Sequence, residues 1–175
     1  MPPKSQLILN GNIIDKLFED IDQRMIMPSW VSPPPQDLGT KRGGKLTVDQ
    51  WRTLATIFLV LTLVNLWGNG SPELKDQLDN FISLVIVTKY ATKRRISTQD
   101  IAIVEENLVK YLEGLKTIYP RHNFTINHHT SLHLPQFLRC LGPTHSWWTF
   151  PFEQFNGIIQ QINNNSKLGD ILFST

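Results

Sequence analysis

The stretch S-T-Q-D-I-A-I-V-E-E-N-L-V-K-Y-L-E-G-L-K-T-I-Y-P, from Ser97 to Pro120, decides the fold class. Its apolar residues recur at steps of three and four, which predicts an amphipathic helix over 98–119. The helix should end at Pro120, because proline lacks the N–H and its ring clashes with the preceding turn.

Two more helices are predicted before this stretch. In T-V-D-Q, the Gln50 amide can reach back to the Thr47 backbone, a capping-box pattern that opens a helix over 48–67. Apolar residues cover every face of that helix from Leu54 onward, which predicts a central, buried position. The next helix begins with Ser71 as its capping residue. Because short loops join these three helices, we expect them to pack antiparallel.

A first helix is predicted over 12–25, with an apolar face and an acidic face. The acidic face comprises Asp15, Glu19, Asp20 and Asp22. The prolines and glycines of 27–45 then exclude helix and strand, which predicts an extended strap. A flexible linker does not usually carry a tryptophan, so Trp30 indicates that the strap is pinned to the body.

The last third of the chain differs from the rest in its sequence pattern. Residues 127–141 predict one helix bent at Pro135, or two short helices. Residues 145–150 are aromatic and are predicted to be extended, and 152–162 predict a last helix. The fold class is therefore mostly α, an antiparallel helical array with no complete β-sheet. We expect one structural unit in four segments: a leading helix (1–26), the strap (27–46), the helical array (47–120) and a His- and aromatic-rich segment with the terminal helix (121–175).

Composition excludes several classes of protein. A single Cys excludes a disulfide scaffold and a Cys-based zinc finger, and a net charge of +2 argues against a strongly steered nucleic-acid binder. Only 18% of residues are charged, against roughly 25% in typical soluble domains, which indicates that part of the surface is not meant for water. The apolar run 53–67 would span only about 22 Å as a helix, and the N-terminus lacks a signal-peptide core. We therefore expect neither secretion nor a membrane span.

The histidines His128, His129 and His133 have two interpretations. His129 and His133 are four residues apart and would share one helical face, as metal ligands do. The zinc-peptidase pattern H-E-x-x-H fails, however, because Thr130 stands where the general base must be. The alternative is a set of hydrogen-bonded structural histidines.

Two basic clusters also have two interpretations each. The first cluster comprises Lys93, Arg94 and Arg95. These side chains can bind phosphate, or they can be solvated cations that complement the carbonyl end of the preceding helix. The second cluster comprises Lys41, Arg42 and Lys45, in the Gly-rich part of the strap, where spare backbone N–H groups favour an anion contact.

The string H-S-W-W-T-F-P-F-E-Q-F-N-G from His145 is the most unusual in the chain. Glu153 falls in the first turn of the predicted last helix, behind an aromatic wall. The positive helix end favours the ionised carboxylate and the wall excludes water, which suits a divalent cation. The alternative is a glutamate that only complements the helix dipole.

Five motifs in order give a family resemblance. They are M-P-S-W-V-S-P-P-P around Trp30, G-K-L-T-V-D-Q-W-R-T around Trp51, N-H-H-T-S-L-H-L-P from Asn127, G-P-T-H-S-W-W-T-F-P-F-E-Q-F-N-G from Gly142, and the closing N-N-N-S-K-L-G. The chain resembles the C-terminal part of CACTA-type (En/Spm-like) transposases of the kind found in basidiomycete fungi.

The resemblance implies a ribonuclease-H-like core that cuts and joins DNA in the nucleus. Such a core holds two divalent ions, Mg²⁺ or Mn²⁺, with Asp, Asp and Glu, and carries a helical insertion before its last acid. Glu153 is the position carried over as the catalytic, metal-binding acid, and His128, His129 and His133 match the family's His-rich motif.

The chain departs from the family in two ways. Gln154 stands where the family usually has Arg, and no strand pattern bearing the two Asp residues precedes the helices. One carboxylate cannot hold two cations, so we expect no tightly bound metal and no DNA cleavage by this chain alone. The resulting hypothesis is a truncated DDE-type transposase fragment, whose partners are DNA and the missing catalytic core or a full-length transposase, with no small-molecule substrate. The alternative is a non-catalytic helical module that docks to DNA or to a full-length transposase.

Overall fold

The computed structural model describes residues 11–29, 31–38, 40, 46–121 and 123–147. Within these ranges the protein is mostly helical and contains no strand, which confirms the predicted fold class. None of the helices in this part of the chain is long and apolar enough to cross a membrane.

The strap separates the first helix from the second, and the later helices follow one another with short connections. The helical elements are α1 (Gly11–Arg24), α2 (Val48–Thr53), a π-helical turn (Leu54–Phe58), α3 (Leu59–Trp67), α4 (Pro72–Ala91), α5 (Thr98–Ile118), α6 (Ile126–Ser131), α7 (Leu134–Leu141) and a 3₁₀ turn (Thr144–Ser146). The predicted helix over 48–67 is thus continuous, with one wider turn in its middle. The segment 127–141 forms two short helices, as one of its two interpretations predicted.

Helices α4 and α5 form an antiparallel hairpin. Asn80, near the start of α4, donates from Nδ2 to the carbonyl of Tyr111 late in α5, at 2.8 Å. At the other end, Lys93 follows α4 and its Nζ lies 2.6 Å from Asp100 Oδ1 in the first turn of α5. The predicted antiparallel packing is confirmed for this pair.

Two apolar clusters build the interior, and α4 contributes to both. The first combines α1, the π-helical turn and α3 with Leu78 of α4, and comprises Ile13, Leu17, Ile21, Leu54, Phe58, Leu59, Leu63, Trp67 and Leu78. The second combines the end of α4 with α5 and α7, and comprises Val87, Ala91, Ile101, Val104, Leu108, Leu112 and Leu138. The C-terminal half of α4 is therefore fixed by α5 and α7.

The strap lies against the first cluster. Met27, Val31 and Leu38 pack on it, and backbone hydrogen bonds close turns at 28–31 and 35–38. The expected attachment to the body is thus confirmed for these residues, whereas Trp30 lies outside the described residues.

Three local predictions are wrong. The helix over 48–67 is not buried on every face: Trp51, Leu61 and Val64 are about half exposed, because α1 and α4 cover only part of its circumference. Asp20 is not on a solvent face but is 1% exposed, since it falls between Leu17 and Ile21 on the buried side of α1.

Ser71 stands at the N-cap of α4 with extended backbone, as predicted, although its side chain makes no cap hydrogen bond. The third wrong prediction concerns a turn. Residues 145 and 146 are not extended but belong to the 3₁₀ turn, which the contacts of Thr144 and His145 with α4 impose.

Candidate functional site

The predicted site residues fall into two groups. Glu153, the predicted helix 152–162 and the basic residues Lys41, Arg42 and Lys45 lie outside the described residues. The structure describes the basic loop, defined as residues 92–97 between α4 and α5, and the three histidines. It also describes the segment that leads toward Glu153.

Lys93 of the basic loop is engaged within the protein. Its ammonium lies 2.6 Å from Asp100 Oδ1 and 4.2 Å from the centre of the Tyr90 ring. The hydrogen bond from Lys93, followed by those from the Ser97 backbone and hydroxyl, lowers the pKa of Asp100 to about 2. Lys93 therefore fastens the loop to α5 and is not presented to a ligand.

Arg94 and Arg95 differ from Lys93. Both are exposed, and neither makes an ion pair or a side-chain hydrogen bond with any residue that the structure describes. Lys89, one turn earlier on α4, is exposed in the same way. These three cations are available for an anionic partner.

A groove opens beside the last turn of α4. Its volume is about 280 Å³, and it is lined by Val48, Asp49, Trp51, Arg52, Ala55, Thr88 and Thr92. We call it the Trp51 groove, because the Trp51 indole is 48% exposed. Asp49 and Arg52 pair at 2.6 Å on its rim. Sequence reasoning missed Trp51, although an aromatic residue next to Arg52 was the available signal.

His128 has a structural role. Its Nδ1 accepts a hydrogen bond from the backbone N–H of Thr125 at 3.0 Å. The Thr125 side chain in turn accepts from the backbone N–H of His128, so the two residues form a capping box. Phe124 packs against the edge of the His128 ring, with ring centres 5.3 Å apart. His128 thus takes the place that Glu or Gln usually occupies in this motif.

The other two histidines continue as an aromatic row. The rings of His129 and His133 meet edge to face at 5.3 Å, followed by Phe137 at 6.3 Å from His133. In the described part of the chain, no three His, Cys, Asp or Glu side chains gather into a group that could hold a metal ion. The geometry therefore favours the structural interpretation for His128, whereas His129 and His133 are exposed and their rings contact one another and Phe137.

The segment G-P-T-H-S-W forms a clamp on the end of α4. The hydroxyl of buried Thr144 donates to the Ala91 carbonyl at 2.9 Å, and His145 Nε2 lies 2.9 Å from the Thr92 carbonyl. Because a carbonyl oxygen only accepts, the His145 ring donates. The Trp147 indole donates to the Gly142 carbonyl at 3.1 Å and closes the segment on itself.

The clamp satisfies carbonyls that have no partner within their own helix. The last carbonyls of any α-helix lack intrahelical donors and need side chains, water or ligands. Thr144 and His145 supply two donors from a segment 53 residues away. Sequence reasoning missed this role, because nothing in the local pattern identifies a partner so distant in the chain.

The comparison with protein families gives one match. The chain is similar to the family described as "Domain of unknown function (DUF4218)" over residues 91–171, which is less than half of its length. That range begins at Ala91, whose carbonyl the clamp binds, and it includes the basic loop, the histidines and Glu153. No curated protein and no solved structure matches the chain.

Proposed function

We propose that this chain is a helical part of a DDE-type DNA transposase of the CACTA kind, and that its role is to hold the metal-binding acid Glu153 for a catalytic core. The observation that carries the proposal is the clamp. Thr144 and His145 bind the end of α4 within the same G-P-T-H-S-W-W-T-F-P-F-E motif that bears Glu153. A helical scaffold that fixes the start of an acid-bearing motif suits an insertion that presents the acid to another domain.

The chain has the character of a scaffold rather than of a complete active site. A two-ion centre needs several carboxylates to position and balance its cations. No such group occurs among the described residues, and in this proposal the two Asp ligands come from a catalytic core or a full-length transposase. When bound, Mg²⁺ or Mn²⁺ would stabilise the charge that develops on the phosphate, while Glu153 would serve as one of its ligands.

In this proposal the chain works on DNA in the nucleus and is inactive by itself. A single glutamate without its partner carboxylates has no means to position the attacking water or hydroxyl. The fungal origin that the motifs suggest, and the exclusion of a small-molecule substrate, belong to the same proposal.

Reconstitution tests this function. The catalytic core of a CACTA-type transposase, lacking its own helical part and final acid, is mixed with the chain, Mn²⁺ and DNA bearing transposon ends. We expect strand transfer with the wild-type chain and none with Glu153→Gln, because the charge that binds the ion is lost. Exposed Glu113 of α5 provides the matched control, and the Glu113→Gln chain should restore activity fully.

Two results would contradict the proposal. Failure of the folded wild-type chain to restore strand transfer would refute the scaffold role. Metal-dependent cleavage by the chain alone, lost in Glu153→Ala, would refute its inactivity and indicate a complete enzyme.

A second candidate is a non-catalytic module that docks to DNA. Arg94 and Arg95 favour it, because both are exposed and neither forms an ion pair with a residue that the structure describes. Binding of a DNA duplex should then weaken steeply with salt, because each phosphate contact releases counterions. Neutralising Arg94 and Arg95 should flatten that dependence. A salt-independent affinity, or one that ignores both arginines, would exclude this candidate.

A further inference from the structure

We infer that the Trp51 groove binds single-stranded nucleic acid, with Trp51 as the platform on which a base stacks and with Arg94 and Arg95 as the cations that hold the phosphates. This inference deepens the docking function proposed above, because it names the strand type and the residue that reads it. It makes no use of Glu153.

Trp51 has the exposure and setting of a stacking platform. It is 48% exposed, whereas Trp67 is 7% exposed in the first apolar cluster and Trp147 donates its indole N–H to Gly142. Val48 and Ala55 give the groove further apolar lining. About half of the Trp51 side chain faces water and has no apolar contact. The face of a nucleobase can supply that contact by stacking, whichever base it is.

The cations lie within reach of this platform. Thr92 lines the groove, and Arg94 and Arg95 follow it by two and three residues. Consecutive Cα atoms are about 3.8 Å apart, so the two Cα atoms lie within about 8 Å and 11 Å of that of Thr92. Lys89 adds an exposed cation on the same turn of α4. Successive phosphates of a strand that passes over Trp51 would meet these side chains.

The charges around the groove favour a polyanion. Asp49 lines the groove and pairs with Arg52, and Asp100 beside the basic loop pairs with Lys93. Lys89, Arg94 and Arg95 remain without carboxylate partners among the residues that the structure describes. The surplus is therefore positive, next to an apolar wall.

The apolar wall favours a single strand over a duplex. In a duplex the faces of each base are covered by its neighbours, so a base must leave the stack before it can lie on Trp51. A bound duplex would contact the arginines through its phosphates alone and would be indifferent to Trp51. In a single strand the base faces are accessible, and a cleft of about 280 Å³ has room for one of them.

The test measures binding of a fluorescent oligothymidylate of about 12 nucleotides, within the usual site size, and of a duplex of equal length. The full chain is used, and anisotropy is recorded at several salt concentrations. Trp51→Ala should weaken single-strand binding about 5- to 150-fold, while Trp51→Phe should retain most of it. Phe124→Ala removes another half-exposed aromatic side chain, away from this groove, and is the matched control.

The charged residues give two further readouts. The double variant Arg94→Gln/Arg95→Gln should reduce the salt slope for the single strand by about 1.4, since each lost phosphate contact removes about 0.7. Lys75→Gln/Lys110→Gln removes two exposed cations from the other end of the hairpin and should leave the slope unchanged. Asp49→Asn should strengthen binding, because it removes a negative charge and frees Arg52.

The outcomes separate this inference from the functions above. If Trp51→Ala binds the single strand as tightly as Phe124→Ala does, the inference is wrong even when the duplex is bound through Arg94 and Arg95. If neither nucleic acid binds, both the inference and the docking candidate are refuted. The scaffold role is decided separately, by the Glu153-dependent reconstitution.

Discussion

Replacing Gly114 by Ala tests the packing of the hairpin that carries both the basic loop and the clamp. An alanine Cβ at this position would lie 2.0 Å from Asn80 Nδ2 and 3.0 Å from its Cγ. Asn80 is 8% exposed, and its Nδ2 donates to the Tyr111 carbonyl. The new methyl group must therefore displace the amide from its hydrogen bond.

The expected cost follows from three contributions. A buried amide that loses its hydrogen bond costs about 1–3 kcal/mol, and an extra methyl group in a packed interface costs about 1–3 kcal/mol. Alanine in a helix interior is more favourable than glycine by about 1 kcal/mol. We expect Gly114→Ala to lower the free energy of unfolding by about 1–5 kcal/mol, or the melting temperature by roughly 2–4 °C for each kcal/mol.

A double-mutant cycle of Gly114→Ala and Asn80→Ala tests whether the Asn80 amide is the cause of the loss. An Asn80→Ala background removes the two closest atoms, Nδ2 and Cγ, and leaves the residue 80 Cβ at 3.5 Å from the new methyl group, an ordinary contact. Gly114→Ala should then stabilise the protein by about 1 kcal/mol, the helix-propensity gain alone. Urea denaturation followed by circular dichroism measures all four proteins. Equal losses in both backgrounds, or a gain in the wild-type background, would refute the packing described above.

Three further predictions concern the clamp, the basic loop and α6. Thr144→Val should lower the free energy of unfolding by about 1–3 kcal/mol in urea denaturation, because it leaves the buried Ala91 carbonyl without its donor. Thr144→Ser keeps the hydroxyl donor and should retain most of the wild-type stability. Asp100→Asn should lower the urea midpoint at pH 7. Because the folded pKa lies below the unfolded value of about 3.8, the difference from wild type should shrink as the pH falls from about 4 to 2; a constant difference would contradict the Lys93 hydrogen bond as its cause. His128→Ala should destabilise the start of α6 by about 0.5–2 kcal/mol, seen as faster amide exchange at Thr125, whereas His128→Gln, which keeps an acceptor, should preserve it.

Local sequence signals predicted the helices well and their surroundings poorly. The capping boxes at Thr47 and Ser97 depend on residues three apart, and both are present in the structure. The burial of α3 depends on how many neighbours surround it, which no helical period encodes. Its apolar face at Leu61 and Val64 therefore remained exposed against expectation. Asp20 shows the opposite error. Its charge predicted exposure, but its position on the buried side of α1 places it in the interior.

The same distinction between local and distant partners applies to the candidate site. For His128 the sequence left metal binding and a structural role open, and the structure shows a hydrogen bond to Thr125, three residues away. For Lys93 it left phosphate binding and a role at the end of α4 open, and the tertiary structure pairs it with Asp100 instead. Thr144 and His145 were not recognised at all, since their partners are 53 residues distant and are main-chain carbonyls, which carry no sequence signal.

The last turn of α4 connects the two proposed functions physically. The side chains of Thr88 and Thr92 line the Trp51 groove, while the carbonyls of Ala91 and Thr92 accept the clamp. A strand seated in the groove and a motif fixed by the clamp would therefore both contact residues 88–92, and Thr92 would be shared by the two. Any free energy that couples them must be reciprocal: if clamp formation favours the groove, an occupied groove favours the clamp to the same extent. A Thr144→Val/His145→Ala variant that loosens this turn should consequently bind single strands more weakly, although neither residue lines the groove. Unchanged affinity would mean that the helix end is rigid enough, through α5 and α7, to keep the two sites independent.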